Sequence, residues 1–177
     1  QLPELKKFAV FAKVEIGEFQ GQVVGLAGQG TDAWIAARYG LQETGLVEGG
    51  MAVRVEADRW LLASESPLAL GLPAGDEALW WGLDIKAGIP HLEAVHQGEY
   101  IPQMLNLQAL EGISFTKGCY MGQEIVARAK YRGANNRALF VLAGQASGPV
   151  VSGDTLENQL GDNWRRSGMV LNVWQQQ

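Results

Sequence analysis

The only cysteine of this chain lies in Lys117-Gly118-Cys119-Tyr120-Met121-Gly122-Gln123-Glu124, bracketed by two glycines just ahead of a run with helical character. Glycines that close together mark a backbone that turns tightly or lets something approach closely. The residues that follow, Gln123 to Lys130, carry acid early and base late, the charge order a helix favours. Cys119 is thereby placed near a helix N-terminus, with Lys117 beside it. Both features favour thiolate over thiol. The pattern predicts a functional thiol at Cys119, tuned by Lys117.

One cysteine excludes an internal disulfide and suits a reducing compartment, so a cytoplasmic protein is expected. It also excludes a self-contained iron–sulfur cluster with all-cysteine ligands, which needs about four. His91 and His96 stand in a Pro- and Gly-flanked stretch without a nearby cysteine, and both are expected to be ordinary surface residues. No metal site is predicted. No stretch approaches the roughly 20 apolar residues of a membrane helix, so no membrane partner is expected.

The net charge is −5, which opposes general nucleic-acid binding and makes direct RNA contact doubtful. The charge is uneven, however. Residues 117–137 hold five bases (Lys117, Arg128, Lys130, Arg132, Arg137) against one acid, Glu124. A solvated, partly paired segment is the bland reading. Because the bases surround the cysteine motif, an anionic ligand is the sharper one, either a polycarboxylate small molecule or an RNA phosphate.

Leu2 to Ala12 reads as a helix tail and Lys13 to Ile16 as a strand or connection. Gln22 to Ala27 is a strand by composition; Gly28-Gln29-Gly30 then turns into a helix capped by Thr31 and stopped at Gly40. The spacing Gly25-x-x-Gly28-x-Gly30 is wrong for a dinucleotide fingerprint. Val53 and Val55 share a face of Ala52 to Ala57, and this run forms a hairpin with Trp60 to Ser64. Pro67 to Gly75 is loop. Beyond Gly88 the chain is irregular to Thr116, apart from a short helix near Asn106 to Leu110. Arg137 to Ala143 opens a β-rich tail, with a further strand at Met169 to Trp174, which puts a domain boundary near Gly133.

A second helix runs from Asp76 to Ala87, with Gly88 closing it and Pro90 beyond. Leu79, Leu83 and Ala87 form its core stripe. Asp76, Trp80 and Asp84 form another stripe, too apolar for solvent and too charged for core. An aromatic bicycle such as a pterin can stack on such an indole while a carboxylate accepts its N–H donors. Equally, Trp80 can be a boundary residue packed against neighbouring structure.

Lys-Gly-Cys-Tyr-x-Gly-Gln-Glu resembles the signature of the YgfZ-type folate-binding proteins, tRNA-modifying and iron–sulfur-related relatives of the glycine-cleavage aminomethyltransferase. The likeness extends through Ile101-Pro102-Gln103, Asn106 to Leu110, Gly112-Ile113-Ser114-Phe115, Ala127 to Asn135 and Asn163 to Gly168. It implies an α+β fold: part of an aminomethyltransferase-like folate-binding domain over residues 1–133 (1–16 a connecting helix and strand), then a partial antiparallel β-barrel over 134–177. Members of the family are longer, so a fragment lacking the N-terminal part is expected.

The resemblance also implies a role. It is a folate-binding accessory protein in tRNA modification (thiomethylation) and in assembly or repair of iron–sulfur enzymes, with a tetrahydrofolate derivative as cofactor and iron–sulfur tRNA-modifying enzymes as partners. Trp80 aligns with a tryptophan of the family's folate site, shortly before Gly88-Ile89-Pro90, with Trp81 as its neighbour. Lys117, Tyr120 and Arg128 complete the implied folate set, and Cys119 faces the pocket. Gln123 and Glu124 hold the loop by capping, and Arg128 braces Glu124. The alternative is a folate-dependent aminomethyl transferase. Against it, related transferases carry Glu-Ala-Gly where this chain has Lys86-Ala87-Gly88, and a lysine cannot accept the pterin's donors. A hydrolytic thiol enzyme needs a histidine base with a supporting motif, which neither His91 nor His96 has. A pure interaction module, with Cys119 buried as a small apolar residue, fits poorly with the adjacent lysine and glycines.

Overall fold

A computed structural model describes residues 2–9, 13–133 and 135–175. It is a mixed α/β structure with antiparallel sheets, and the chain divides into two compact units, residues 1–74 and 75–177. The boundary expected near Gly133 lies inside the second.

In the first unit, helix α1 (Leu2–Ala9) precedes strand β1 (Gln22–Ala27) and helix α2 (Thr31–Tyr39). The expected reach of α1 to Ala12 lies outside the described residues. Residues 13–16 form no strand. Strands β2 (Gly45–Val47), β3 (Gly50–Glu56) and β4 (Arg59–Ser64) follow, and the antiparallel sheet has the order β1-β4-β3-β2. The hairpin is where the sequence puts it, turned through Asp58 at φ 54°.

Register decides which face is core. Leu26 opposes Trp60, and Leu62 lies between Val24 and Ala52, so these side chains share a face, on which Ile35 of α2 is fully buried. Val53 and Val55 lie on the other, half-buried side. Helix α2 is capped differently from expectation. Its N-cap is Gly30 at φ 91°, and the Thr31 hydroxyl donates backward to the Gly28 carbonyl at 2.7 Å. Gly40, at φ 71°, ends it as predicted.

The second unit opens with α3 (Glu77–Lys86), continues through one-turn 3₁₀ helices at Ala94–His96 and Pro102–Leu105 into α4 (Gln123–Tyr131), and ends in the hairpin β5 (Thr155–Leu160) and β6 (Asn163–Met169). The turn expected as a helix at Asn106 to Leu110 is instead the exit of the 3₁₀ segment before it, with Asn106 left-handed at φ 55°. Arg137 to Ala143 forms no strand, and the final strand sits earlier than Met169 to Trp174. There Val170 and Leu171 are buried, while Trp174 lies against Gly82, where an added Cβ would meet its indole at 2.6 Å. Among the described residues the sheets do not close into a barrel. Among them also, no helix is long and apolar enough to cross a membrane.

Candidate functional site

The cysteine loop is built from its own sequence. Gly122 adopts φ 88°, reversing the chain directly before α4. Gln123 folds back so that its Oε1 accepts the Tyr120 N–H at 3.2 Å, the capping role expected of it. Ser114 Oγ accepts the Lys117 N–H at 3.2 Å and fixes the entry to the loop. Cys119 is left exposed and free at the turn. A buried structural cysteine is thereby excluded.

Of the predicted site residues, Lys117 and Tyr120 are brought together, the ammonium 4.9 Å from the ring centroid. Arg128 is exposed on α4, but among the described residues no ion pair joins it to Glu124, so the expected brace is absent. Lys130 instead ties the helix to the chain ahead of the motif, with Nζ 3.5 Å from the Phe115 ring and 5.2 Å from that of Tyr131.

Helix α4 is anchored through Val126, which is buried and whose carbonyl accepts Gln103 Nε2 at 2.7 Å. That bond fixes the amide orientation. Gln103 Oε1 is then a buried acceptor with no partner among the described residues. Nothing in composition or periodicity marks Gln103; only its place in Ile101-Pro102-Gln103 does.

Trp80 stands half-buried on α3, whose first turn is capped by Asp76 accepting the Ala78 N–H at 2.8 Å. The predicted core stripe is incorrect: Leu79 is 55% exposed, and Gly82 and Asp84 are buried instead. Asp84 is buried because it has a partner, His91 Nε2 at 2.7 Å. The His91 ring lies 4.3 Å from Trp81, and its backbone exchanges two hydrogen bonds with the Asn172 amide. Both carboxylates beside Trp80 thus have structural partners, Asp76 in the first turn of its own helix and Asp84 in His91. Lys86 is exposed in the last turn.

His96 is not the surface residue expected. It is 1% exposed. Its Nδ1 accepts the Glu93 N–H at 3.1 Å, so the ring proton belongs on Nε2, which faces Ser152 Oγ at 3.3 Å. The Ser152 hydroxyl in turn donates to the Leu171 carbonyl at 3.0 Å. In this tautomer His96 cannot act as a base toward Ser152. Among the described residues no group of three or more His, Cys, Asp or Glu could hold a metal ion.

The first unit carries a feature the sequence reading missed. Asp32 accepts Arg54 Nη2 at 2.7 Å and Trp60 Nε1 at 2.6 Å, and Asp58 accepts the Asp32 N–H at 2.9 Å. Gln42 and Glu43, with Asp32, Arg54 and Trp60, line an open depression. The Arg54 hydrogen bond, seconded by that from Trp60, lowers the Asp32 carboxyl from 3.8 to about 2. Arg54 is also 3.4 Å from Glu43, so its charge is met within the depression.

Residues 135–177 match the family model described as YgfZ, beta-barrel domain. The chain is similar to the tRNA-modifying protein YgfZ of Photobacterium profundum, 43% identical over 97% of this chain and 56% of the relative. It is similar to the protein of that name from Yersinia pseudotuberculosis, 46% identical over 99% of this chain and 58% of the relative. The Yersinia pestis protein matches to the same extent. The chain therefore spans little more than half the length of these relatives.

Proposed function

We propose, from the premise that the chain belongs to the YgfZ family, that it is part of a folate-binding accessory protein acting in tRNA modification and in the upkeep of iron–sulfur enzymes. The tRNA role rests on the name the relatives carry. The observation that carries the site is the exposed thiol of Cys119, held at a glycine turn by the Gln123–Tyr120 hydrogen bond with the Lys117 ammonium alongside.

The residues present fit a reduced folate, which would supply one-carbon chemistry when bound. The resemblance assigns stacking to Trp80, half-buried on α3, and Tyr120 adds an aromatic ring at the cysteine turn. Lys117 and Arg128 are exposed cations suited to the carboxylates of the folate tail. Gln103 Oε1 is an acceptor still to be satisfied. A partial barrel after Gly133 is supported by the barrel family match beginning at residue 135, and the aminomethyltransferase-like architecture ahead of it rests on the sequence resemblance.

An accessory role is favoured over aminomethyl transfer because Lys86 stands where the transferases present a glutamate, and because Asp84 is committed to His91. Titrating tryptophan fluorescence of the intact protein with a stable reduced folate, wild type beside Trp80→Phe, tests the reading. Saturable quenching that weakens in the variant supports it, and no binding refutes it. Cys119→Ala should still bind folate while failing to restore tRNA modification in cells lacking the protein; retained activity would remove Cys119 from the function.

A further inference from the structure

The cations around the cysteine motif are placed for more than a folate tail. Lys117, Arg128, Lys130, Arg132 and Arg137 are all exposed. Among the described residues none of them joins an ion pair, although the chain as a whole is acidic. Arg54, in contrast, is met by two carboxylates. Lys117 precedes α4, Arg128 and Lys130 lie on it, and Arg132 and Arg137 follow it. A nine-residue helix spans about 13 Å. Cations ahead of, on and beyond a helix of that length exceed what one phosphate or carboxylate can engage, and suit an anion that is itself a strand. Exposed rings are interleaved with them, Tyr131 at 71% and Tyr120 at 37%. Lys117 rests against the Tyr120 ring and Lys130 against those of Phe115 and Tyr131, so among the described residues no carboxylate neutralises either. Cations without acidic partners beside exposed aromatics are the ingredients of single-strand recognition, phosphates on the cations and bases on the rings.

We propose that the Cys119 loop and α4 form a binding surface for single-stranded RNA, with Lys117, Arg128, Lys130, Arg132 and Arg137 on phosphates and Tyr131 under a base. This goes beyond the accessory reading, which requires no RNA contact, and it runs against the expectation drawn from net charge. That expectation weighs the whole chain, whereas a strand lying along α4 meets the local excess of cations.

The test is fluorescence anisotropy of a labelled single-stranded RNA oligonucleotide titrated with the full chain. Five phosphate contacts predict that affinity falls about a hundredfold between about 50 and 200 mM salt. Arg132→Gln combined with Arg137→Gln, both outside the folate set, should weaken binding and flatten the logarithmic salt slope by about 1.4. The matched pair Arg165→Gln and Arg166→Gln on β6 should change neither. Should the first pair fail to fold by circular dichroism, Tyr131→Ala carries the test, with an expected loss of about five- to a hundredfold.

Three results overturn the proposal. One is no binding at the lower salt, and another is equal binding by all variants. The third is displacement of the RNA by a polyglutamate peptide at equal charge, which would make the surface a carboxylate site. Folate quenching measured on the same variants keeps a failure here distinct from failure of the folate reading.

Discussion

Trp60 donates its indole N–H to Asp32 at 2.6 Å while the other oxygen of the same carboxylate holds Arg54 at 2.7 Å. One side chain of α2 thereby fastens two adjacent strands, since Arg54 and Trp60 are register partners in β3 and β4. Both bonds favour the ionised carboxylate, Arg54 more than Trp60, and bring its pKa to about 2 from 3.8. A depressed carboxyl contributes stability above its unfolded value and loses it as pH falls through its folded value. The first unit should therefore weaken between about pH 4 and pH 2 as Asp32 protonates. Circular-dichroism melts across that range should show the loss in wild type and a shallower one in Asp32→Asn. Parallel profiles would detach Asp32 from the acid response.

Gly122 and Gly118 should respond differently to alanine. A Cβ at either meets open space, but only Gly122 has a left-handed φ. Gly122→Ala should cost about 1–3 kcal/mol in denaturant unfolding. Gly118→Ala should stay within about 0.5 kcal/mol. Equal effects would mean that the turn is not held at Gly122.

Asp76→Ala removes the side-chain cap of α3 and should cost about 1 kcal/mol. Because α3 carries Trp80, a change in tryptophan emission on the same variant would report loosening of that helix. Unchanged unfolding would show that water replaces the cap without loss.

His96 should be found as the neutral Nε2–H tautomer by nitrogen-15 NMR of the imidazole. His96→Leu strands the Glu93 N–H and should destabilise by about 1–3 kcal/mol. An Nδ1–H signal would contradict the hydrogen-bond direction assigned to Glu93.

Local signals were legible where backbone chemistry alone decides. The limits of β1, the hairpin into β4, the start of α3 at Asp76 and the stops at Gly40 and Gly88 follow from turn residues and local chain chemistry. The cysteine turn was legible for the same reason, since glycine spacing and charge order act within a few residues. What failed depends on distant partners. Asp84 reads as too charged for core until His91 is beside it, and His96 reads as exposed until Glu93 and Ser152 enclose it. Arg137 to Ala143 has the composition of a strand, but among the described residues it pairs with no sheet. The hairpin β5–β6 was missed because its polar residues, Glu157, Asn158, Arg165 and Arg166, lack the alternation of a half-buried strand; most of both strands is exposed.

The turn that presents Cys119 also settles its oxidative chemistry. With no second cysteine in the chain, a sulfenic acid formed there has no intramolecular thiol to condense with. Its outlets are a thiol beyond these 177 residues, closure on a backbone nitrogen to a sulfenamide, or further oxidation up the ladder. Any thiol that resolves that sulfur must come from outside these 177 residues, and an exposed glycine turn is open to it.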